Sequence, residues 1–200
     1  MINLQRQDAT LRLLEHRWPD RRPALIDVGC GVGLDLERLL AEGWPTTAVA
    51  GVDVAPERVS AARERLPGIE IRQTDGAELP YPNASFEVAT AVTVFSSILD
   101  PDLRRRLFAE MQRVVAPGGI VLVYDFVIRN PRNPNVTPMT LSRLRALGAS
   151  PTRSVRITPL LHLVAVGATI HPLFARMAMK LAPPTHRLTY WVSPATISSR

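Results

Sequence analysis

A glycine-rich segment near the N-terminus, Asp27–Gly33 (DVGCGVG), has the residue types of a ligand-binding turn. It follows the apolar run Ala24–Ile26, which predicts a short buried strand, and it precedes Leu34–Leu40, whose pattern predicts a helix. Glycine has no Cβ and readily adopts positive φ, so the backbone can approach a ligand closely, while the helix start offers free N–H groups. The segment therefore predicts a site where bare backbone binds a small molecule.

The spacing of these glycines restricts the class of ligand. A dinucleotide-binding fingerprint, G-x-G-x-x-G, beginning at Gly29 and Gly31 would need its third glycine at position 34, where Leu34 stands. The glycine comes one position early, at Gly33. Asp27, directly before the turn, suits a ligand that carries a cationic aminoacyl group. An NAD(P)-dependent oxidoreductase is therefore the less favoured alternative.

Carboxylates follow two later strand-like runs. The run Ala48–Asp53 ends in Asp53, and an acid at the end of a second strand can accept both hydroxyls of a ribose. Because dinucleotide-binding folds use an acid in the same way, Asp53 alone does not separate the two ligand classes. Asp75 follows the third run, Ile69–Gln73, within the turn-like segment Thr74–Ala77.

Taken in order, these segments resemble the motifs of the class I S-adenosylmethionine (SAM)-dependent methyltransferases, in particular a small bacterial member of type 11-like character. Ser85–Val92 is similar to the family's fourth strand, and Pro117–Gly119 before Ile120–Val127 is similar to the turn into its fifth. The resemblance implies SAM as methyl donor and S-adenosylhomocysteine as product, with Asp75 facing the adenine amino group. The cofactor-binding residues that it implies are Asp27, Gly29, Cys30, Gly31, Gly33, Asp53, Val54, Asp75, Gly76, Ala77 and Val92.

The alternation of strand and helix patterns predicts an α/β fold with a doubly wound, mostly parallel sheet and helices on both faces. The resemblance implies seven strands, of which the last is antiparallel. Predicted helices include an N-terminal one ending before Pro19, a second over Pro56–Leu66 and a third, capped by Asp100, running to Val115. We expect one domain over residues 1–200, with a cofactor-binding core at 24–127 and an acceptor side at 128–200.

The acceptor side has less regular patterns. Prolines and asparagines make Arg129–Asn135 an irregular loop, and Ser142–Leu147 predicts a short helix. Val155–Thr158 and His186–Val192 predict the sixth and seventh strands. Between them, Pro159–Ala182 is apolar enough to raise the idea of a membrane span, but its histidines, proline and basic residues favour a buried or substrate-facing helix. Interfacial contact with a lipid-like substrate stays open.

Composition agrees with a compact enzyme domain. The chain has 200 residues, of which 46% are hydrophobic, and this length is enough for a proper core. The net charge of +6 invites a nucleic-acid interpretation, but Lys180 is the only lysine and the arginines are spread along the chain, so we expect no nucleic-acid partner. Cys30 is the only cysteine, and Met1–Trp18 lacks the apolar core of a signal peptide, which together predict a cytoplasmic protein. No metal-binding spacing is recognisable.

For chemistry, the sequence predicts methyl transfer to a small-molecule acceptor, with a hydroxyl of a glycan or secondary metabolite as one candidate. A hydroxyl acceptor would use a base, and Asp125 at the end of the fifth strand is the predicted catalytic residue. We expect the N-terminal helix, the loop Arg129–Asn135 and the segment Pro159–Ala182 to form the acceptor site. A non-catalytic, SAM-binding accessory protein is the other alternative. The oligomeric state is left open.

Overall fold

The computed structural model describes residues 2–128, 133, 135–159 and 184–194. Its helices, in chain order, are α1 (Ile2–Arg17), α2 (Leu34–Ala41), α3 (Pro56–Arg65), α4 (Pro101–Val114) and α5 (Leu141–Arg145). Its strands are β1 (Leu25–Val28), β2 (Val49–Asp53), β3 (Glu70–Gln73), β4 (Phe86–Val92), β5 (Val115–Phe126), β6 (Arg153–Pro159) and β7 (Pro184–Val192).

All seven strands form one sheet in the order β3-β2-β1-β4-β5-β7-β6. The first five strands are mutually parallel, whereas β7 runs antiparallel to both of its neighbours. The prediction of a mostly parallel, seven-stranded sheet with an antiparallel last strand is confirmed. Since the chain order reverses between β1 and β4, the carboxyl ends of these strands open a crevice of the kind in which α/β folds bind ligands.

Helices cover both faces of the sheet, and each face has its own apolar core. On one face, α1, α2 and α3 contribute Leu14, Leu36 and Val59 to a cluster over the sheet residues Leu25 and Val88. On the other face, a second cluster contains residues of α4 and α5 together with alternate residues of the strands. Such two-sided burial explains why the inner strands are almost continuously apolar.

The element bounds differ from the predicted ones mainly near the last strands. The segment Pro117–Gly119, predicted as a turn before the fifth strand, lies inside β5, because Ser193 pairs with this part of the strand: Gly118 N–H donates to the Ser193 carbonyl. The predicted helix within Pro159–Ala182 falls outside the described residues except for Pro159, and the loop Arg129–Asn135 is described only at Asn133 and Asn135. Within the described part of the chain, every helix is too short or too polar to cross a membrane.

Candidate cofactor cleft

A cleft of about 620 Å³ opens at the carboxyl ends of β1, β2 and β4. This volume falls within the range of small-molecule and cofactor pockets. The cleft is lined by Val28, Gly29, Gly31, Val52, Asp53, Val54, Arg58, Thr74, Asp75, Gly76, Val92, Thr93, Val94, Ser97, Ile98, Leu99, Asp100, Leu103 and Leu107. It therefore brings together seven of the eleven residues predicted to bind cofactor.

The glycine turn forms one wall of the cleft, and its glycines have different tasks. Gly29 and Gly31 both have positive φ, 75° and 57°. A Cβ on Gly29 would lie 2.4 Å from a methyl of Val94, so this glycine permits close packing within the wall. A Cβ on Gly31 would meet nothing within 4 Å, and Gly31 lines the cleft, so the missing side chain leaves ligand space.

Asp53 ties the turn to the end of β2. Its Oδ2 accepts a hydrogen bond from Gly31 N–H at 2.8 Å, and its Oδ1 accepts one from Ala55 N–H at 3.0 Å. Although the residue is only 4% exposed, it lines the cleft. A carboxylate has about four lone-pair sites, so these two bonds leave acceptor capacity for hydroxyls of a ligand.

Asp75 lies in a tight turn that follows β3, the strand next to β2. Its Oδ1 accepts the Ala77 N–H at 2.9 Å, and Gly76 adopts φ 79° beside it. Asp75 and Gly76 line the cleft, but Ala77 does not, because its amide turns back to Asp75. Ala77 thus shapes the turn, and the cleft lining gives no support to its predicted contact with the cofactor.

Two large apolar side chains stand exposed on the cleft walls. Val54, directly after Asp53, is 63% exposed, and Leu99, before the cap of α4, is 56% exposed. Ligand pockets are lined mainly by apolar side chains with a few polar groups, and these two residues give the cleft apolar surface that a ligand ring could cover.

Asp27 faces a different, smaller cavity beneath α1. That cavity is also lined by Arg6, Asp35 and Thr90, and it shares Val92 with the main cleft. Thr90 Oγ1 donates to Asp27 at 2.7 Å. Burial, with the nearby charge of Asp35 second, raises the pKa of Asp27 to about 7. Asp27 therefore lines the cavity beneath α1 and not the main cleft. A cofactor contact by Asp27 would have to be made in that smaller cavity, which adjoins the cleft at Val92.

Arg6 brings a positive charge to the same cavity. Its guanidinium forms an ion pair with Asp35 at 2.6 Å, and Gln7 donates to the same carboxylate oxygen at 2.7 Å. The guanidinium carbon also lies 5.5 Å from the centre of the Tyr124 ring. These contacts fix the N-terminal part of α1 over the sheet, at the end where the glycine turn lies.

Cys30 and Gly33 do not line the cleft either. The Cys30 thiol is buried, and burial raises its pKa to about 12, so it remains a neutral packing group. A Cβ on Gly33 would lie 2.6 Å from Leu66, so Gly33 permits α2 to pack closely against the end of α3. In this structure both residues have packing roles in the turn, and their predicted cofactor contacts stay predictions.

Asp125, the predicted base, lies beneath the cleft and not in its lining. It is 1% exposed; its Oδ2 accepts the Ser96 N–H and its Oδ1 accepts the Phe126 N–H, both at 2.9 Å. Burial raises its pKa to about 6. Asp125 thus fixes the segment Thr93–Ser97, which forms a cleft wall, and this geometry does not support its direct contact with an acceptor.

Several cleft residues were missed by sequence reasoning. Thr93 has φ 56°, a conformation that a β-branched residue rarely adopts, and no residue pattern signals it. Arg58 is part of an ordinary polar helix face. Leu99 had a usable signal, since an apolar residue directly before a helix cap often packs at that helix start. Among the described residues, no group of three or more His, Cys, Asp or Glu could hold a metal ion.

Comparison with known proteins agrees with the fold. The sequence model of a family described as "Methyltransferase domain" matches residues 25–119. A demethylmenaquinone methyltransferase of Thermus thermophilus is 33% identical over 106 residues, which cover 51% of this chain and 46% of that protein. The chain spans 30–46% of the length of the first three curated relatives that it matches.

Solved structures add two informative neighbours. The SAM-bound amino pentose methyltransferase CalS10 from Micromonospora echinaspora is 27% identical, with a TM-score of 0.54 over 64% of this chain and 52% of that one. The [4+2]-cyclase SpnF shares the fold, with 23% identity and a TM-score of 0.63 over 94% of this chain and 81% of that one. By motif and fold, the chain is similar to the class I SAM-dependent methyltransferases over nearly half of its length.

The cleft residues fit SAM chemically. The backbone at Gly31 leaves space that any Cβ would fill, Asp53 has acceptor capacity beside it, and Asp75 lines the same cleft. Two carboxylate acceptors and exposed apolar side chains in one cleft match a nucleoside with a hydroxylated sugar and an amino-bearing base.

Proposed function

We propose that this protein is a methyltransferase that uses SAM to methylate a small-molecule acceptor. The observation that carries the proposal is the position of Gly31. Its backbone lies in a positive-φ turn with open space in front of it, its N–H donates to the Asp53 carboxylate at the end of β2, and both residues line the same cleft. A glycine turn alone would fit several nucleotides. Leu34 at the place of a third glycine argues against NAD(P), and the similarity to methyltransferases favours SAM.

In this proposal, the nucleoside part of SAM is held by residues of the main cleft. Asp53 accepts the ribose hydroxyls, Asp75 accepts from the adenine amino group, and Val54 and Leu99 contact the ring. Charge-assisted hydrogen bonds to a carboxylate are stronger than neutral ones, so Asp53 should contribute most of the polar affinity.

The aminoacyl part of SAM carries an ammonium and a carboxylate, and the cavity beneath α1 offers an opposite charge to each. Asp27 is placed for the ammonium, and Arg6 for the carboxylate. Val92 lines both cavities, so the two adjoin at this residue, and the cavity beneath α1, of about 30 Å³, would have to widen to admit the aminoacyl group. A bound ammonium would also lower the pKa of Asp27 and keep it ionised.

SAM supplies a methyl group already activated by the positive sulfonium. The chain's own contribution is to hold the reacting groups in line and to exclude water, and such positioning supplies on the order of 7–11 kcal/mol of barrier lowering. The segment Thr93–Ser97 forms the cleft wall beside the ends of β4 and β5. The backbone of Thr93 has a strained positive φ, and the Thr93 N–H donates a hydrogen bond to the Tyr124 carbonyl that holds it there. Strain of this kind often accompanies functional sites.

Asp125 acts in this proposal as a positioning residue. Both of its oxygens accept backbone N–H groups, and the one to Ser96 fixes the cleft wall. For Asp125 to accept a proton from a hydroxyl acceptor, that contact would have to open. The role as base therefore requires a rearrangement that the positioning role does not need.

A sugar or secondary-metabolite hydroxyl remains our candidate acceptor. CalS10 is named as an amino pentose methyltransferase, which supports a glycan-type acceptor, whereas the Thermus thermophilus relative is named for demethylmenaquinone. The similarity to each of them covers only part of this chain, 64% for CalS10 and 51% for the Thermus thermophilus relative. The segments expected to select the acceptor lie mainly outside the described residues.

An assay of S-adenosylhomocysteine formation tests the proposal. The protein is incubated with SAM and, in turn, an amino sugar, a neutral sugar, a quinol and a carboxylic acid, and product is quantified by mass spectrometry. Acceptor-dependent product in the parent, lost in Asp53→Ala, is the expected result. Tight S-adenosylhomocysteine binding without turnover would favour the accessory-protein alternative, as would an acceptor side that admits no ligand. The cyclase SpnF shows that the fold alone does not define the reaction.

A further inference from the structure

The charges of the chain divide sharply at Asp125. Residues 126–200 contain nine arginines and one lysine but no aspartate or glutamate, whereas residues 1–125 contain fourteen arginines and all eighteen acids. The formal charge is therefore +10 after Asp125 and −4 before and including it. The overall value of +6 conceals this asymmetry, because the arginines are evenly spread and only the acids are not.

In the described part of the chain, this asymmetry leaves the later arginines without acidic partners. Every ion pair there joins residues no later than Arg113. Two of the described arginines after Asp125 donate hydrogen bonds to neutral groups instead. Arg143 donates to the Pro138 carbonyl, and Arg187 donates to Ser154 Oγ at 2.8 Å.

Two of these arginines face each other across adjacent strands. Arg156 on β6 is the register partner of Arg187 on β7, and Arg187 is in turn the register partner of Asp125 on β5. Like charges directly opposite each other destabilise a sheet. Asp125 does not compensate them, because its carboxylate accepts the amides of Ser96 and Phe126 instead.

The Arg187 side chain retains an unused donor. Its Nε is buried with no hydrogen-bond partner among the described residues. Burial, followed by the charge of Arg156, lowers the pKa of Arg187, which is what an uncompensated pair of guanidinium groups produces. A bound anion would supply the missing acceptor and would separate the two like charges.

The position of the pair relates it to the cofactor cleft. Val92 and Thr93, at the end of β4, line the cleft, and Arg187 lies two strands away at the level of Asp125. With strands spaced ~4.8 Å apart, the lateral separation is roughly 10 Å, which one small molecule can span. The same edge carries the ends of the connection between β6 and β7, since Pro159 and Pro184 are register partners.

We propose that Arg156 and Arg187 form a binding site for an anionic group, a phosphate or a carboxylate, carried by the methyl acceptor. This inference rests on the proposed function, because the anionic group is part of the molecule that accepts the methyl group. Guanidinium groups match the geometry of both anions with paired N–H donors. The acceptor is then an acidic molecule, whether free in solution or the headgroup of a lipid.

Binding of two probes by the whole chain tests the site. One arm measures the rise in the unfolding midpoint with inorganic phosphate, and the other measures cosedimentation with phosphatidylcholine vesicles with and without phosphatidylglycerol. The variants are Arg156→Gln, Arg187→Gln and the double variant, and Arg187→Lys keeps the charge. Arg153→Gln is the matched control, because Arg153 lies on the same strand opposite Tyr190.

The expected result is binding of at least one anionic probe by the parent, ~tenfold weaker in each glutamine variant and retained in Arg153→Gln. A phosphate response identifies a free acid, and a response only to phosphatidylglycerol vesicles identifies a lipid headgroup. Absence of both responses in the parent, or equal losses in Arg153→Gln, would overturn the inference. S-adenosylhomocysteine binding, measured by calorimetry on the same samples, should be unchanged; its absence from the parent would overturn the proposed function instead.

Discussion

At the scale of the residue, Gly31 and Asp53 act as a pair. The Gly31 amide donates to the Asp53 carboxylate, which fixes the turn in a positive-φ conformation while the cleft in front of it stays open. The same carboxylate holds the amide of Ala55. One aspartate thus organises both the glycine turn and the start of the segment that carries Val54.

A Cβ placed on Gly31 tests the turn. Gly31→Ala should weaken S-adenosylhomocysteine binding by about tenfold or more, equivalent to about 1.4 kcal/mol, because the methyl occupies ligand space. Gly43→Ala is the control: Gly43 also has positive φ and open space where a Cβ would point, but it follows α2 away from the cleft. Both variants should lose ~1–2 kcal/mol of stability from backbone strain. Equal affinities in calorimetry would show that the ligand does not approach Gly31.

Removal of the Asp53 carboxylate should have two effects. Asp53→Ala loses charge-assisted hydrogen bonds worth ~1.5–3 kcal/mol each, so S-adenosylhomocysteine affinity should fall at least tenfold. The unfolding free energy should also fall, because Gly31 and Ala55 lose their acceptor. Calorimetry and urea denaturation measure the two effects separately. An unchanged dissociation constant would place the ribose elsewhere.

The buried carboxyl of Asp125 predicts a pH dependence of stability. Its folded pKa, raised to about 6, exceeds the unfolded value, so the folded state binds the proton more tightly. The stabilisation by this group is fully present below pH ~4 and is lost as pH rises towards about 6, at about 1.4 kcal/mol per pH unit. Asp27, with a pKa of about 7, acts in the same direction.

Urea denaturation from pH 4 to pH 7 checks this dependence. The unfolding free energy of the parent minus that of Asp125→Asn should decrease as pH rises to about 6 and then level off. Asp20→Asn, at an exposed carboxyl, is the control for removing one surface charge. A constant difference for Asp125→Asn would mean that Asp125 titrates normally in the folded protein.

At the scale of the element, the start of α4 links helix stability to the cleft. Asp100 caps the helix by accepting the Asp102 N–H at 2.8 Å, Pro101 occupies the first turn, and Asp100 also lines the cleft beside Leu99. This cap is as the sequence predicted. The wall of the cleft is thus built on the first turn of a helix whose other end packs in the core.

Substitution of the cap distinguishes hydrogen bonding from charge. Asp100→Ala should reduce the unfolding free energy by ~0.5–2 kcal/mol, because an N–H of the first turn loses its acceptor. Asp100→Ser keeps a capping oxygen and should recover most of that loss. Thermal or urea unfolding measures both variants. Equal destabilisation by Ala and Ser would show that the negative charge at the helix start matters more than the cap.

At the scale of the whole molecule, periodicity and turn residues were enough to predict a mostly parallel sheet with helices on both faces, while the family resemblance supplied its seven strands, the antiparallel last strand and seven of the nineteen cleft-lining residues. The side-chain environments at strand ends were not predictable. Asp53 and Asp125 both end parallel strands, but Asp53 lines the cleft, whereas Asp125 turns beneath Thr93–Ser97. That difference depends on which backbone amides the neighbouring loop presents, and the strained φ of Thr93 that shapes this loop has no sequence signature.

Calorimetric titration of the purified protein with S-adenosylhomocysteine and, separately, with NADH tests the central claim most directly. The same glycine-rich turn could in principle hold either nucleotide, and the two ligands differ in the aminoacyl group, for which Asp27 and Arg6 are placed. We predict binding of S-adenosylhomocysteine, weakened in Gly31→Ala but not in Gly43→Ala, and no measurable heat with NADH. Tight NADH binding without S-adenosylhomocysteine binding would contradict the account.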